Sequence, residues 1–417
     1  MQWESLCLNP YETSPEPFRI AMENCIPDGT FARVRPMKIT IVQGAFLPVP
    51  PLRGGAVEKI WFALGKEFVR RGHEVTHISR RFESLPRTEV IEGVRHIRAG
   101  GFDTPRRLVI LKLLDLFYSL RVRLLLPPAD IVVTHTFWLP MLIRSQRVGK
   151  LYVHVGRYPR GQMRFYRHAA RLQTVSEPIK SAIISDVPDC AAKVRSIAYP
   201  LPDAPPAASR TDAQPRCKRL LYAGRVHPEK GVHLLVEAMS LLAGTIPPEW
   251  KLIIVGPWEA NAGGGGKSYL EELKRIAQPV ADRVEFAGPV FDSGQLAGFY
   301  QMASLFVYPS LAEKGETFGV APLEAMSHGC PALVSDLACF RDFIVDGRNA
   351  FVFDHRAPRP AEVLAAKIRE LIQDPARLGK AAEHASVTTQ RFSVERIAGI
   401  YLDDFQSLLT PSEARKP

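Results

Sequence analysis

The feature that most narrows the fold is a set of short, unbroken apolar runs. Ile131-Val132-Val133, Leu252-Ile253-Ile254-Val255, Leu305-Phe306-Val307-Tyr308 and Ala332-Leu333-Val334 are of this kind. A strand with one wet face alternates apolar and polar residues, whereas a strand that is apolar throughout is covered on both faces, as in a parallel sheet flanked by helices. Helical spacing follows these strands. Val57, Ile60, Trp61, Leu64 and Phe68 come after the run Lys38–Val42 and stop at Gly72, where Glu74–Ile78 begins the next strand. Val232, Leu235, Val236, Ala238 and Met239 come after Leu220–Ala223. The expected class is α/β, doubly wound, with right-handed crossovers.

A chain of 417 residues is too long for one ordinary core, so two domains are expected. Residues 200–216 are rich in Pro, Ala, Ser and Asp without periodicity and read as a linker. That leaves an extension over 1–36, a first domain over 37–199, a second over 217–392, and a last helix with its tail over 393–417. The six cysteines show no C-x-x-C and no framework spacing, which favours reduced thiols in the cytoplasm. Residues 1–35 lack the order of a signal peptide.

Net charge is +11, but residues 37–199 alone carry +15. The basic half should face something anionic: an anionic membrane surface, a phosphorylated acceptor or an acidic polysaccharide, with a solvated basic face as the bland alternative. Nucleic acid is not expected, since no binding motif or aromatic-basic interleaving accompanies the charge. The apolar stretch Arg106 to Leu126 carries Lys112, Asp115, Arg121 and Arg123 and stops at Pro127-Pro128, which argues against a span. It reads first as a core helix, and otherwise as a helix lying on anionic lipid. Gly266-Lys267-Ser268 suggests a triphosphate loop, but the position needing the first glycine is Asn261.

The candidate chemistry centres on Glu316-Thr317-Phe318-Gly319-Val320-Ala321-Pro322-Leu323-Glu324, after the run ending at Tyr308. Pro322 is tolerated in a first helical turn, so Glu316 should lie in a loop and Glu324 early in a helix. Gly319 lets backbone approach a ligand, and the N–H groups of residues 319–321 favour an anion such as phosphate. Carboxylates only accept hydrogen bonds, so each Glu needs hydroxyl donors, which a sugar or ribose diol supplies. Arg225 and Lys230 bracket another strand-to-helix loop and together suit a diphosphate. Two strands deliver His135 and His154 to a sheet edge, where a structural role is the commoner one. Arg157, Arg160, Arg164, Arg167 and Arg171 recur at spacings that would place several on one helix face, open to a phosphate-bearing acceptor.

The spacing of Glu316 and Glu324 within E-x-F-G-x-x-x-x-E-A-M resembles the signature of the retaining glycosyltransferases of family 4, whose fold is GT-B: two Rossmann-like domains facing across a cleft. The resemblance runs over about residues 37–410. It implies a hexosyltransferase-type enzyme using a nucleoside-diphosphate sugar as co-substrate, with an unidentified acceptor. Gly54 and Gly55 would face the donor diphosphate, and His154 the transferred sugar, with His135 behind it. Arg225 and Lys230 would offset charge on the leaving diphosphate. Glu316 with the N–H groups of Phe318 and Gly319 would hold sugar hydroxyls, Val320 and Ala321 would complete the anion site, and Glu324 would hold the ribose. Gly288 and Val290 would lie beside the base. The last helix would cross back onto the first domain, although Val394 stands where the family commonly has an aromatic residue. No D-x-D is present, so no metal cofactor is expected. A nucleotide-sugar epimerase of similar architecture and a non-catalytic nucleotide-sugar binding protein are the alternatives.

Overall fold

Each apolar run becomes an interior strand in the computed structural model, which describes residues 35–52, 55–82, 85–105, 107–144, 148–203 and 216–410. The expected extension up to residue 34, Gly54, Arg106 and most of the linker lie outside the described residues. The first half comprises β1 (Lys38–Val42), α1 (Ala56–Arg70), β2 (Glu74–Arg80), β3 (Thr88–Ile91), β4 (Val94–Ala99) and α2 (Leu108–Leu125). It continues with β5 (Ile131–Thr134), α3 (Leu139–Leu142), β6 (Lys150–Val155), β7 (Arg171–Thr174), α4 (Glu177–Asp186) and β8 (Val194–Ser196). The sheet order is β3-β4-β2-β1-β5-β6-β7-β8, parallel except for β3 against β4.

The second half holds β9 (Cys217–Ala223), α5 (Val232–Leu242), β10 (Lys251–Val255), α6 (Lys267–Ala277), β11 (Val284–Gly288), α7 (Ser293–Met302) and β12 (Ala303–Tyr308). Then come α8 (Val320–Ser327), β13 (Ala332–Ser335), β14 (Phe351–Phe353), α9 (Pro360–Ile372), α10 (Pro375–Thr389) and α11 (Val394–Leu409). Its parallel order, β11-β10-β9-β12-β13-β14, reverses between β9 and β12. In doubly wound sheets the carboxyl edge at such a reversal is the usual place of a ligand site. The β9–α5 loop carries Arg225 and Lys230, and the β12–α8 loop carries Glu316.

The sequence reading missed β3 and β4, because Thr88–Ile91 is half exposed and has no continuous apolar run. A two-residue turn joins them, with Glu92 at φ 47° and Gly93 at φ 80°, the paired positive angles that suit a tight hairpin. The expectation that the arginines after β6 share a helix face is corrected. Pro159 and Gly161, the latter at φ 81°, break the segment, and only a 3-10 turn over Gln162–Tyr166 forms. Arg171 instead lies in β7 and Arg167 pairs with Asp189 at 3.0 Å.

The helix α11 packs on the first half. Tyr401 lies 5.0 Å from Trp61, and Phe405 lies 5.9 Å from Phe68 and 4.9 Å from Tyr152, ring centre to ring centre. The buried carboxylate of Asp404 accepts from Arg171 Nη2 at 2.7 Å and Nε at 3.0 Å, and from the Tyr152 hydroxyl at 2.9 Å. Phe392, just before Val394, packs against Phe318 and Phe343 of the second half. Removing Asp404 strands the Arg171 guanidinium in the interior. Asp404→Ala is therefore expected to lower stability by about 3 kcal/mol in urea unfolding. Arg171→Met with Asp404→Leu, which leaves no orphaned charge, should recover most of it.

Candidate active site

Two glycines bring the site's loops together. Gly231, at φ 66°, ends the 3-10 turn Pro228–Lys230, and a Cβ there would lie 2.0 Å from the Pro309 carbonyl oxygen. The Leu311 N–H donates to the Glu229 carbonyl at 2.8 Å, locking the β12–α8 loop to the β9–α5 loop. Gly319, at φ 97°, begins α8, and a Cβ there would run into the Phe340 ring at 2.4 Å. No other residue type fits either position without displacing backbone or core.

This interlock sets Lys230 against Glu316. The ammonium donates to Glu316 Oε2 at 2.7 Å, and the Tyr308 hydroxyl donates to the same oxygen at 3.0 Å. Both side chains are about nine-tenths buried. Tyr308 stacks on Tyr222 at 5.8 Å, so a wall of aromatic rings backs the pair. Burial first, and then Glu316, push the Tyr308 hydroxyl well above its ordinary range, so it stays a donor. Arg225 is half exposed; its Nη2 donates to Glu229 at 2.7 Å and its Nη1 to the Gly263 carbonyl at 2.8 Å. Its fork is thus aimed by groups that the sequence reading did not single out.

Glu324 lies farther along α8. Its Oε2 accepts from the Tyr300 hydroxyl at 3.3 Å. Burial raises its pKa, opposed by the charge of Lys59 on α1 and by the Tyr300 hydrogen bond. Lys59, itself paired with Asp203, thus lies within electrostatic reach from the first half. The side chain of Phe318 is buried against Tyr199, Phe343 and Phe392, which leaves only its backbone to face a ligand. Val320 and Ala321 open α8, while Gly288, at φ 75°, closes β11 and Val290 follows it, packed on the core.

In the first half, Gly55 caps α1 at φ 99°. His154 is buried, with both ring nitrogens engaged. Gln173 spends its amide N–H groups on the carbonyls of Thr174 and Ile197, so its oxygen accepts from His154 Nδ1 at 2.6 Å. That fixes the tautomer, and Nε2 accepts from the Tyr199 hydroxyl at 2.9 Å. Tyr199, which the sequence reading passed over, is thus the hydroxyl partner that holds His154. His135 donates from Nδ1 to the Val42 carbonyl at 2.9 Å and packs 4.7 Å from His154. Arg157 lies near enough to Tyr199 to influence its hydroxyl, and Arg160 follows in the same loop. Arg164 does not join them. It lines a basic cavity of about 730 Å³ with Arg144, Lys150 and Lys193, beside the beginning of β6 and not its carboxyl end.

Glu58, in the first turn of α1, is a half-buried carboxylate whose pKa burial raises, and its charge reaches Tyr199. No motif marked it, because a glutamate early in a helix is ordinary. Among the described residues no cluster of His, Cys, Asp or Glu could hold a metal ion.

Burial pushes His154 down to about 4 from its ordinary 6.5. As pH falls below 6.5 the unfolded chain takes the proton first, so stability present at neutral pH is lost between 6.5 and 4. The loss attributable to His154 is roughly 2 kcal/mol by about pH 5. A His154→Gln variant should show a correspondingly shallower decline in urea unfolding between about pH 7.5 and about pH 5.

Residues 209–386 match the family model described as glycosyl transferases group 1. The D-inositol 3-phosphate glycosyltransferase of Arthrobacter sp. (strain FB24) is 32% identical over 191 residues, 45% of this chain and 42% of that protein. The match thus spans less than half the length of this curated relative. Among solved structures, the sucrose-phosphate synthase of Thermosynechococcus elongatus superposes with a TM-score of 0.73 at 20% identity, over 89% of this chain and 99% of that one. HepE of Anabaena, solved in complex with UDP, gives 0.66 at 20% identity, over 89% and 100%. The fold is GT-B, an α/β arrangement built on two largely parallel sheets.

Proposed function

We propose that this chain is a retaining glycosyltransferase of family 4 that moves a sugar, hexose in type, from a nucleoside diphosphate to an acceptor hydroxyl. The observation that carries the reading is the buried Lys230–Glu316 pair at the carboxyl edge of a doubly wound sheet, with Arg225 beside it. The bond between the anomeric carbon and the diphosphate breaks, and the acceptor oxygen forms its bond on the same face. The acceptor proton passes to the departing phosphate oxygen. Lys230 and Arg225 offset the charge that accumulates there, as pre-organised cations do at leaving groups. Glu316 and the N–H groups of Phe318 and Gly319 hold sugar hydroxyls, Glu324 takes the ribose diol, and the Gly288–Val290 turn flanks the base. His154, held in place by Gln173 and Tyr199, faces the transferred sugar, and Gly55 approaches the diphosphate. No metal has a part in this scheme. The described cysteines are free thiols, which supports a cytoplasmic setting.

UDP-sugars are the first donors to test, given the ligand of the HepE structure. A UDP-sugar that binds the folded chain should raise its melting temperature. Lys230→Ala and Arg225→Ala should each cut turnover roughly a hundredfold. Transfer at full rate in either variant would remove the mechanism. Glu324→Ala should weaken donor binding roughly tenfold in calorimetry, from loss of charge-assisted hydrogen bonds to the diol. An unchanged dissociation constant would remove the ribose assignment. Incubation with donor alone should yield no epimerised nucleotide.

A further inference from the structure

Helix α2 is apolar on two opposite sides, and only one is covered. Its inner side places Tyr118 and Val122 on Val42, Ile78 and Val132. Asp115, also buried, accepts from the N–H groups of Phe137 and Trp138 at 3.0 and 3.2 Å. The outer side carries Val109, Leu113, Phe117, Leu120 and Leu124, all exposed, the first 80% and the last 86%. Steps of four, four, three and four residues keep them on a single stripe. Contiguous exposed apolar surface of this kind marks a contact face.

Positive charge surrounds the stripe. Lys112 and Arg123 flank it on one side and Arg121 on the other, all exposed. Helix α3 packs against α2 and against the turn Gln162–Tyr166, which presents half-exposed Phe165 beside Arg164. There Arg144, Lys150 and Arg164 line the 730 Å³ cavity. From Ile131 to Ser176 the sequence contains eight Lys or Arg and no Asp or Glu. No helix among the described residues is long and apolar enough to cross a membrane.

We infer that the first half docks on an anionic lipid bilayer, with the outer stripe of α2 sunk into the headgroup boundary and the Arg144, Lys150 and Arg164 cluster against lipid phosphates. A neutral protein partner would use the stripe but leave the surrounding cations without a purpose, whereas an anionic bilayer uses both. A second copy of this chain would bring the same positive charge against itself. The inference is independent of the sugar-transfer reading.

The test is sedimentation of the full chain with vesicles of equal parts phosphatidylcholine and phosphatidylglycerol, against phosphatidylcholine alone. Binding to the anionic vesicles should be at least roughly tenfold tighter and should weaken with added salt. Val109→Asn, Leu113→Asn and Phe117→Ser combined, all at exposed positions, should leave the melting temperature unchanged and weaken vesicle binding roughly tenfold. Arg144→Ala, Lys150→Ala and Arg164→Ala combined should remove most of the preference for the anionic lipid. No sedimentation, equal affinity for both vesicles, or full binding by the apolar variant would overturn the proposal. So would a dimer in light scattering that the apolar substitutions dissolve.

Discussion

The near-contact between Gly231 and the Pro309 carbonyl is the constraint from which the site follows. Two loops leave neighbouring strands at this edge of the sheet, the usual place of a ligand site in doubly wound folds. Here the turn ending in Gly231 passes so close to the backbone of the other loop that no side chain fits between them. The Leu311-to-Glu229 backbone hydrogen bond secures the crossing. Lys230 points inward, and its ammonium meets Glu316 over the Tyr308 ring. A buried lysine without a carboxylate would lose its proton or its place. The pair therefore depends on backbone geometry as much as on charge.

The two halves are joined by a run of packed rings. Phe318, from the loop that carries Glu316, meets Tyr199 edge to face at 5.8 Å, and Tyr199 in turn bonds to His154. Phe392 and α11 close the other side, with Trp61 of α1 in contact with Tyr401, His135 and His154. Rigid rings at such distances leave little room for one half to move without the other. Asp342 adds a polar link, accepting from the Glu177 N–H at the beginning of α4 at 2.9 Å. Burial lifts that carboxyl to about 6.

What the sequence displayed was what apolar continuity and turn chemistry encode. The apolar-run strands, the helices after β1 and β9, the loop position of Glu316 and the helical position of Glu324 were legible for that reason, whereas β7, α4, α6 and α7 were not read. The edge strand β3 was not legible, since it is half exposed, and neither was its neighbour β4, whose buried residues are interrupted by Arg95 and so form no continuous apolar run. The arginines after β6 looked like one helix face because spacing alone ignores what Pro159 and Gly161 do to backbone. Partners brought from far along the chain left no local trace. Tyr308 and Tyr300 supply hydroxyls to the two glutamates, Glu229 aims Arg225, and Gln173 fixes the tautomer of His154, yet each is an unremarked residue when read in line. The sidedness of α2 was half legible: the charges excluded a span, but which apolar side lacked a cover depended on the fold.

The Lys230–Glu316 pair carries a lesson about selectivity. An anion drawn to the ammonium must settle within a few ångströms of a carboxylate that repels it. If the pair binds a phosphate-bearing donor as proposed, bare inorganic phosphate, with nothing to offer that carboxylate, would be disfavoured by the same pair that attracts it. A molecule bearing alcohol groups close to its phosphates would satisfy both, so on that reading discrimination would come from demanding two functional groups at once.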